Sequence, residues 1–241
     1  MLAIISKKPI PSLFLQDFRL LAERGKVLPN AKPGHKDGWG IVCYQNNTPI
    51  YLGRQPTDAV KDSRYEKACE RLDQLIVMGV LLAHLRKPTP EYNDVKLENT
   101  APFVQGQWCF AHNGTINRFN EKVEGLLGTT DSERLFRLLL QEKESNGCSI
   151  EEAIAKTVHR VGNSFTYSSL TFLLSNGEHI YAYREYSDPR KSDYYNLMYA
   201  TDENMVILSQ EPIWFRDWVP IPNKNLVTIG GDLRICSQYM R

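Results

Sequence analysis

The segment Trp108-Cys-Phe-Ala-His-Asn-Gly114 is an apolar run followed by an asparagine and a glycine. Both of these residues carry N–H groups that can donate hydrogen bonds to the same acceptor. The run is typical of a buried strand. Asn113-Gly114 permits a tight turn at its end, because asparagine tolerates a left-handed backbone and glycine has no Cβ. The Asn113 side-chain amide and the Gly114 N–H can then converge as the donors of an oxyanion hole. A plain turn between two strands explains the same dipeptide.

Two charged residues at the ends of other elements have the chemistry to recognise a zwitterion. Arg86 follows the apolar strand predicted over 77–85, and its planar guanidinium can bind a carboxylate through two parallel hydrogen bonds. Asp131 lies in Thr130-Asp-Ser-Glu133, a predicted capping box, and its carboxylate can pair with an ammonium group. Each also has an ordinary explanation, Arg86 as a surface cation and Asp131 as a favourable charge at a helix start. Together with the donors at 113–114, they suit a free amino acid whose side-chain carbonyl is attacked.

Other chemistries find less support in the residue spacing. His35, His84 and His112 do not have the spacing of metal ligands, so no metal site is expected. The glycine-rich segment 34–40 lacks the Lys-Ser/Thr pair and the following helix of a phosphate-binding loop. The five cysteines are scattered and form no C-x-x-C pair, which favours reduced thiols and a cytoplasmic location: Cys43, Cys69, Cys109, Cys148 and Cys236.

The composition is that of an ordinary globular protein, and we expect one domain over residues 1–241. A net charge of +1 gives no global field to attract nucleic acid or an anionic membrane, so neither is expected as a partner. The longest apolar stretch, 75–83, is too short to span a bilayer. At the N-terminus the apolar residues precede the charged ones, the reverse of a signal peptide.

The periodicity predicts many strands, mostly in hairpins, with the helices grouped, which favours an α+β fold over an alternating βαβ fold. The predicted helices cover 13–24, 57–75, 117–127 and 135–141, with another beginning after the capping box at 149–152. The predicted strands cover 2–5, 39–44, 49–52, 77–85, 168–175, 178–186, 195–201, 205–210, 226–229 and 233–236, in addition to the run before Asn113.

Five motifs in this order resemble those of the class II glutamine amidotransferases, which are N-terminal-nucleophile hydrolases, and most closely their small stand-alone YafJ-like branch. The motifs are Gly34-His-Lys-Asp-Gly-Trp-Gly40, His84-Leu-Arg86-x-x-Thr89, Glu98-Asn-Thr-Ala-Pro-Phe103, His112-Asn-Gly114 and Thr130-Asp-Ser-Glu133. The likeness continues through 175–183 and 206–212, so it covers nearly the whole chain. The resemblance implies a four-layer αββα sandwich of two mostly antiparallel sheets, which agrees with the number of predicted strands.

The resemblance also implies an activity: hydrolysis of the side-chain amide of glutamine, or of a related γ-glutamyl amide, without a cofactor. Arg86 would bind the α-carboxylate with Thr89 nearby, and Asp131 would bind the α-ammonium group. The candidate substrate-binding residues are Arg86, Thr89, His112 and Asp131, and the candidate catalytic residues are Asn113 and Gly114 of the oxyanion hole. Because the chain ends soon after the expected fold, any synthetase that accepts the ammonia should be a separate protein.

The resemblance fails at the expected nucleophile. In this family a cysteine follows the initiator methionine and its α-amine is the base, but this chain begins Met1-Leu2-Ala3 and has no Cys, Ser or Thr before Ser6. Members of the family often begin Met-Cys-x-x-Leu, and Met1 falls where the residue just before that Leu belongs. One hypothesis is therefore that the chain was started at an internal methionine and that about three residues, including the cysteine, precede it. The alternative is a catalytically inactive amino-acid-binding or scaffold protein of the same fold.

Overall fold

The computed structural model describes residues 1–29, 31–214 and 217–240. They contain thirteen strands and five α-helices, with short 3₁₀ helices at Pro90–Tyr92 and Pro189–Lys191. The helices are α1 (Leu13–Arg19), α2 (Leu21–Arg24), α3 (Ser63–Leu75), α4 (Asp131–Asn146) and α5 (Ile150–Ser164). The strands are β1 (Leu2–Ser6), β2 (Trp39–Gln45), β3 (Thr48–Gln55), β4 (Gly79–Leu85), β5 (Phe103–Gln105), β6 (Trp108–Asn113), β7 (Thr171–Ser175), β8 (His179–Arg184), β9 (Met198–Thr201), β10 (Met205–Ser209), β11 (Val219–Pro220), β12 (Asn225–Gly230) and β13 (Ile235–Tyr239).

The strands form two antiparallel sheets. The first has seven strands in the order β11-β9-β10-β1-β4-β2-β3, and the second has six in the order β13-β12-β8-β7-β6-β5. In the first sheet β1 is central, with Leu2 opposite Ala83 of β4 on one side and opposite Ser209 of β10 on the other. Among the described strands, five of the eleven neighbouring pairs are hairpins, so the predicted predominance of hairpins is wrong: the other six pairs join strands that other elements separate along the chain.

Alternate side chains of β1 belong to different cores. Leu2 and Ile4 pack with buried residues of α1 and α3, whereas Ala3 and Ile5 pack with the core that the second sheet shares with α4 and α5. Because side chains alternate across a strand, β1 is covered on both faces and is apolar throughout. The layers are therefore α1–α3, first sheet, second sheet, then α4 and α5. The predicted α+β class with a four-layer αββα arrangement is confirmed.

One predicted helix is absent. Residues 117–127 are irregular, and tertiary partners take their polar groups in place of a helical ladder. The Asn117 N–H donates to Thr166 O at 2.9 Å and the Arg118 N–H donates to Glu91 Oε1 at 3.0 Å. Phe119 is buried against Phe165. The apolar spacing in this segment reflects single anchors to neighbouring elements, so the helix prediction is wrong.

The helix that follows is longer than predicted and begins at Asp131. The Thr130 side chain accepts the Glu133 N–H at 3.2 Å, as in a capping box. The Glu133 carboxylate does not return to the N-cap; it accepts the N–H groups of Leu127 and Gly128 at 2.9 and 2.7 Å. The capping box predicted at Ser149 has both of its hydrogen bonds. Within the described residues, no helix has the length and hydropathy to cross a bilayer.

Candidate active site

All six residues named as site candidates line one cavity of about 110 Å³: Arg86, Thr89, His112, Asn113, Gly114 and Asp131. Met1 and Gln210 line it too. The topology explains this convergence. Residues 1, 86 and 210 flank the paired ends of β1, β4 and β10 in the first sheet, while β6 and the start of α4 approach from the second sheet.

The glycine-rich segment 34–40 supports the chain at Arg86. The Arg86 N–H donates to Gly38 O at 2.7 Å, and the Asp37 N–H donates to Arg86 O at 3.0 Å. A Cβ on Gly40 would lie 2.5 Å from Ala101 O, so this strand can approach its neighbour only without a side chain there. The segment therefore holds the backbone of Arg86 in place.

The Arg86 guanidinium is buried and only partly satisfied. Its Nη2 donates to Tyr92 O at 2.8 Å, while Nη1 is buried and has no hydrogen-bond partner among the described residues. Burial lowers the pKa of Arg86, and the nearby carboxylates of Asp37, Asp94 and Asp131 oppose that effect. An arginine stays charged at any physiological pH, so an unpartnered buried N–H is costly unless a ligand accepts from it. This geometry suits a carboxylate.

The Asp131 carboxylate is held by the backbone. Oδ2 accepts the Ile116 N–H at 2.8 Å and Oδ1 accepts the Ser132 N–H at 2.9 Å. Burial raises the pKa of Asp131 to about 6, although these hydrogen bonds act in the opposite direction. At pH 7 the group is therefore a buried anion without a protein cation bonded to it within the described residues. An ammonium group on a ligand would supply that cation.

His112 has protein partners for both ring nitrogens. Nε2 lies 3.1 Å from Ser169 O and must donate to it, so Nδ1 accepts from the Ser132 hydroxyl at 2.9 Å. Burial lowers the pKa of His112 to about 4, which keeps the ring neutral and makes it a weak base for Ser132. The ring thus connects β6 to the start of α4. Its predicted contact with substrate remains a prediction.

At the end of β6, Gly114 can carry no side chain. A Cβ there would lie 2.0 Å from Ser169 O and 2.7 Å from His112 Nε2. The neighbouring Asn113 is half-buried, and within the described chain its side-chain amide has no hydrogen-bond partner. Both predicted oxyanion donors thus line the cavity, but their role as an oxyanion hole stays a prediction.

Residue 1 lies in the same cavity. The Met1 side chain is buried, and its α-nitrogen donates to Gln210 Oε1 at 3.2 Å. Gln210 Nε2 and His84 Nδ1 are buried with no hydrogen-bond partner among the described residues, and both side chains line the cavity. Together with Arg86 Nη1 these atoms make a polar interior that a polar ligand would satisfy.

Gln210 and His84 were missed as site residues from sequence. Each lies within a motif that supports the family resemblance, 206–212 and 84–89, and that membership was the available signal. Lys87, the residue after Arg86, donates through Nζ to the carbonyls of Lys32 and Gly34 at 2.6 and 3.1 Å, so it anchors the chain beside the cavity.

The loop between β4 and β5 is tied to the start of α4. Asn99 Nδ2 donates to Asp94 O at 3.0 Å and to Thr129 Oγ1 at 3.1 Å, and its Oδ1 accepts the Thr129 N–H at 2.8 Å. This pairing fixes the wall that carries Tyr92 against the helix that carries Asp131. Across the described part of the chain, no group of three His, Cys, Asp or Glu side chains is placed to hold a metal ion.

The family model described as "Glutamine amidotransferases class-II" matches residues 1–227. The chain belongs to this family. The chain is 23% identical, over 197 residues, to the γ-glutamyl-hercynylcysteine sulfoxide hydrolase of Mycolicibacterium smegmatis, a match that covers 80% of this chain and 77% of the relative. It is 25% identical, over 231 residues, to an uncharacterised protein of Methanocaldococcus jannaschii; there the match covers 84% of this chain but only 63% of the relative.

The chain also has the fold of a solved amidotransferase structure. The glutamine phosphoribosylpyrophosphate amidotransferase of B. subtilis superposes with a TM-score of 0.66 at 13% sequence identity. The superposition covers 100% of this chain and 49% of that one. At this identity the likeness establishes the fold alone, and it agrees with the two antiparallel sheets and flanking helices described above.

Proposed function

We propose that this domain binds glutamine, or a related γ-glutamyl amide, as a zwitterion and presents its side-chain amide for hydrolysis. The observation that carries the proposal is that Arg86, Asp131, Asn113 and Gly114 line one cavity with residue 1. Arg86 Nη1 would donate to the α-carboxylate, which supplies its missing acceptor, and Asp131 would bind the α-ammonium group. The names of the family and of the M. smegmatis relative support amide hydrolysis of a γ-glutamyl compound.

The two donors at the end of β6 would act on the carbonyl at the other end of the ligand. A thiolate attacks the amide carbon, and the oxygen becomes an oxyanion that the Asn113 amide and the Gly114 N–H stabilise. Collapse breaks the C–N bond and expels the amine, which takes up the proton that the α-amine removed from the thiol, and a thioester is left on the protein. Water then attacks the thioester to release glutamate and regenerate the thiol.

On this proposal the nucleophile lies at the N-terminal end of β1, either at the position that Met1 occupies or, as the family start Met-Cys-x-x-Leu implies, upstream of it. β1 begins at Leu2, and residue 1 points into the cavity. An α-amine at this position is largely neutral at pH 7, because burial lowers its pKa to about 5 although Glu211 acts in the opposite direction, so it can accept a proton. A thioether has no proton to lose and cannot replace a thiolate.

The test is a gain of activity. A Met1→Cys variant, expressed behind an initiator methionine that is then removed, should release ammonia and glutamate from glutamine. A Met1→Ala protein made in the same way is the matched control. Adding Asn113→Ala to the cysteine variant should lower kcat about 10²- to 10³-fold. A folded Met1→Cys protein that hydrolyses glutamine no faster than Met1→Ala would refute this position for the nucleophile.

The thioether at the cavity favours a second candidate function, an inactive amino-acid-binding protein. A longer chain with an upstream cysteine, as expected from the family start, separates the two. If the chain carrying Met-Cys-x-x ahead of Leu2 is active, a cysteine upstream of residue 1 is a competent nucleophile in this fold. If only the Met1→Cys chain is active, the competent position is residue 1, and if neither chain is active the binding-protein alternative is supported. A separate ammonia-accepting synthetase and a cytoplasmic location remain predictions.

A further inference from the structure

A second cavity of about 510 Å³ adjoins the first. The two share Lys26, Leu28 and Tyr194 as lining residues. Arg86 and Asp131 line only the first cavity, so the groups proposed to bind the zwitterion are confined to it. The second cavity could therefore hold a part of the ligand other than its α-amino and α-carboxylate groups.

A chain of hydrogen-bonded residues connects residue 1 in the first cavity to Lys26, which lines the second cavity. The Met1 α-nitrogen donates to Gln210, and the next residue, Glu211, accepts the Lys26 N–H through Oε1 at 2.9 Å. Lys26 lines both cavities. A substituent on the amide nitrogen of a ligand attacked from residue 1 thus has the second cavity beside it.

One side of the second cavity, the segment 188–195, is anchored to the sheet. The buried Arg184 guanidinium donates to the carbonyls of Ser192 and Tyr195 at 3.0 and 3.1 Å, which anchors the segment 188–195 to β8. Arg190 is held by Asp188 through two hydrogen bonds of 2.9 Å. A preformed wall reduces the ordering that a ligand must impose on binding.

The chemistry of the wall is apolar with a positive excess. Val27, Leu28 and Pro29 supply apolar surface, and the charged groups are Lys26, Arg190 and Lys191 against Asp188 and Asp193. Since Asp188 and Arg190 neutralise each other, two lysines face one carboxylate. Among the described residues, neither Lys26 Nζ nor Lys191 Nζ has an ion-pair or hydrogen-bond partner.

From these contacts we infer that the substrate is a γ-glutamyl amide whose amine portion is an amino acid or peptide with a free carboxylate. Its body packs on the apolar wall and its carboxylate pairs with the two lysines. Hydrolysis breaks the γ-amide C–N bond; water supplies hydroxyl to the γ-carbonyl and a proton to the amine. The product beside glutamate is then an amino compound, and ammonia is not released. This inference rests on the proposed function, because the same zwitterion pocket holds the γ-glutamyl group.

Calorimetry with three ligands tests it on the chain as it stands, since binding needs no nucleophile. L-glutamine, γ-L-glutamylethylamide and γ-L-glutamyl-L-valine share the γ-glutamyl group, but only the last carries a second carboxylate. The dipeptide should bind about 10-fold more tightly than glutamine. Lys191→Gln should weaken the dipeptide about 5-fold, as loss of a rim ion pair does, while Lys122→Gln, at an exposed lysine away from both cavities, should not.

The outcomes separate the two proposals. If glutamine binds and the dipeptide binds no more tightly, the second subsite is refuted and the zwitterion pocket stands. If the ethylamide binds as tightly as the dipeptide, or if Lys191→Gln has no effect, the carboxylate part of the inference is refuted. If none of the three ligands binds, the proposed function fails and this inference fails with it.

Discussion

Replacing the Asp131 carboxylate by its neutral isostere, Asp131→Asn, should change how the stability of the protein depends on pH. The folded-state pKa of Asp131 is raised from 3.8 to about 6 by burial. The native protein therefore binds more protons at this group than the unfolded chain between those pH values, and it loses stability as the pH rises through them. At 1.36 kcal/mol per pKa unit, the loss amounts to about 3 kcal/mol by pH 7.

The variant cannot lose that stability, because an amide does not titrate. The free energy of unfolding from urea denaturation, taken as Asp131→Asn minus wild type, should rise by about 2.4 kcal/mol between pH 4 and pH 7. The difference between the two proteins removes the contribution of other carboxylates, such as Asp62, whose pKa is lowered by its hydrogen bonds despite partial burial. The amide also meets the Ile116 and Ser132 N–H groups, which changes stability by a constant amount at every pH. A difference that does not vary with pH would refute a buried carboxylate with a raised pKa.

Three further substitutions test the fold around the site. Gly114→Ala should destabilise the protein by about 3 kcal/mol in urea denaturation, because its Cβ would lie 2.0 Å from Ser169 O, whereas Gly231→Ala, with open space around the Cβ, should have little effect. Ser149→Ala removes the N-cap of α5 and should cost about 1 kcal/mol; an unchanged stability would contradict the capping box. Arg184→Leu leaves three carbonyls, two of them in buried hydrogen bonds, without their donor and should lower the free energy of unfolding by about 3 kcal/mol. Hydrogen exchange faster than wild type at 188–195 would locate that loss, and exchange unchanged there would contradict the anchoring role.

The strands are well predicted from the sequence because the apolar residues of each strand match the faces of the sheet that are buried. β1 and β4 are buried on both faces, so each forms a continuous apolar run that cannot be mistaken for a surface helix. The hairpin of β7 and β8 is similarly clear from its Asn176-Gly177 turn. Local patterns suffice where the local sequence and the tertiary environment agree.

The same reasoning fails where long-range partners decide the structure. Residues 117–127 have helix-like spacing, but the carbonyl of Thr166 and the carboxylate of Glu91 take the N–H groups of residues 117 and 118. Convergence of Arg86 and Asp131 on one cavity likewise depends on the packing of two sheets, which no local pattern reveals. The sequence shows that the two residues lie at the ends of different elements, but only the family motifs imply that they belong to one site.

The second cavity was not predictable from sequence. Its lining comes from two separate loops, 26–29 and 188–194, neither of which carries a recognisable motif. Arg184, which anchors one of these loops, lies at the end of an ordinary strand and gives no sign of its three carbonyl contacts. Such a site depends on where loops meet after folding.

Titration of L-glutamine into the protein by isothermal calorimetry tests the central claim, that one cavity recognises a zwitterion through Arg86 and Asp131. Wild-type protein should bind, and Arg86→Ala should weaken binding by about 2–5 kcal/mol, since it removes one partner of a buried charge pair. Arg234→Ala, at an exposed arginine on the β12–β13 turn, should bind as the wild type does. Folded wild-type protein that gives no binding heat, or Arg86→Ala protein that binds as tightly as Arg234→Ala protein, would contradict the account.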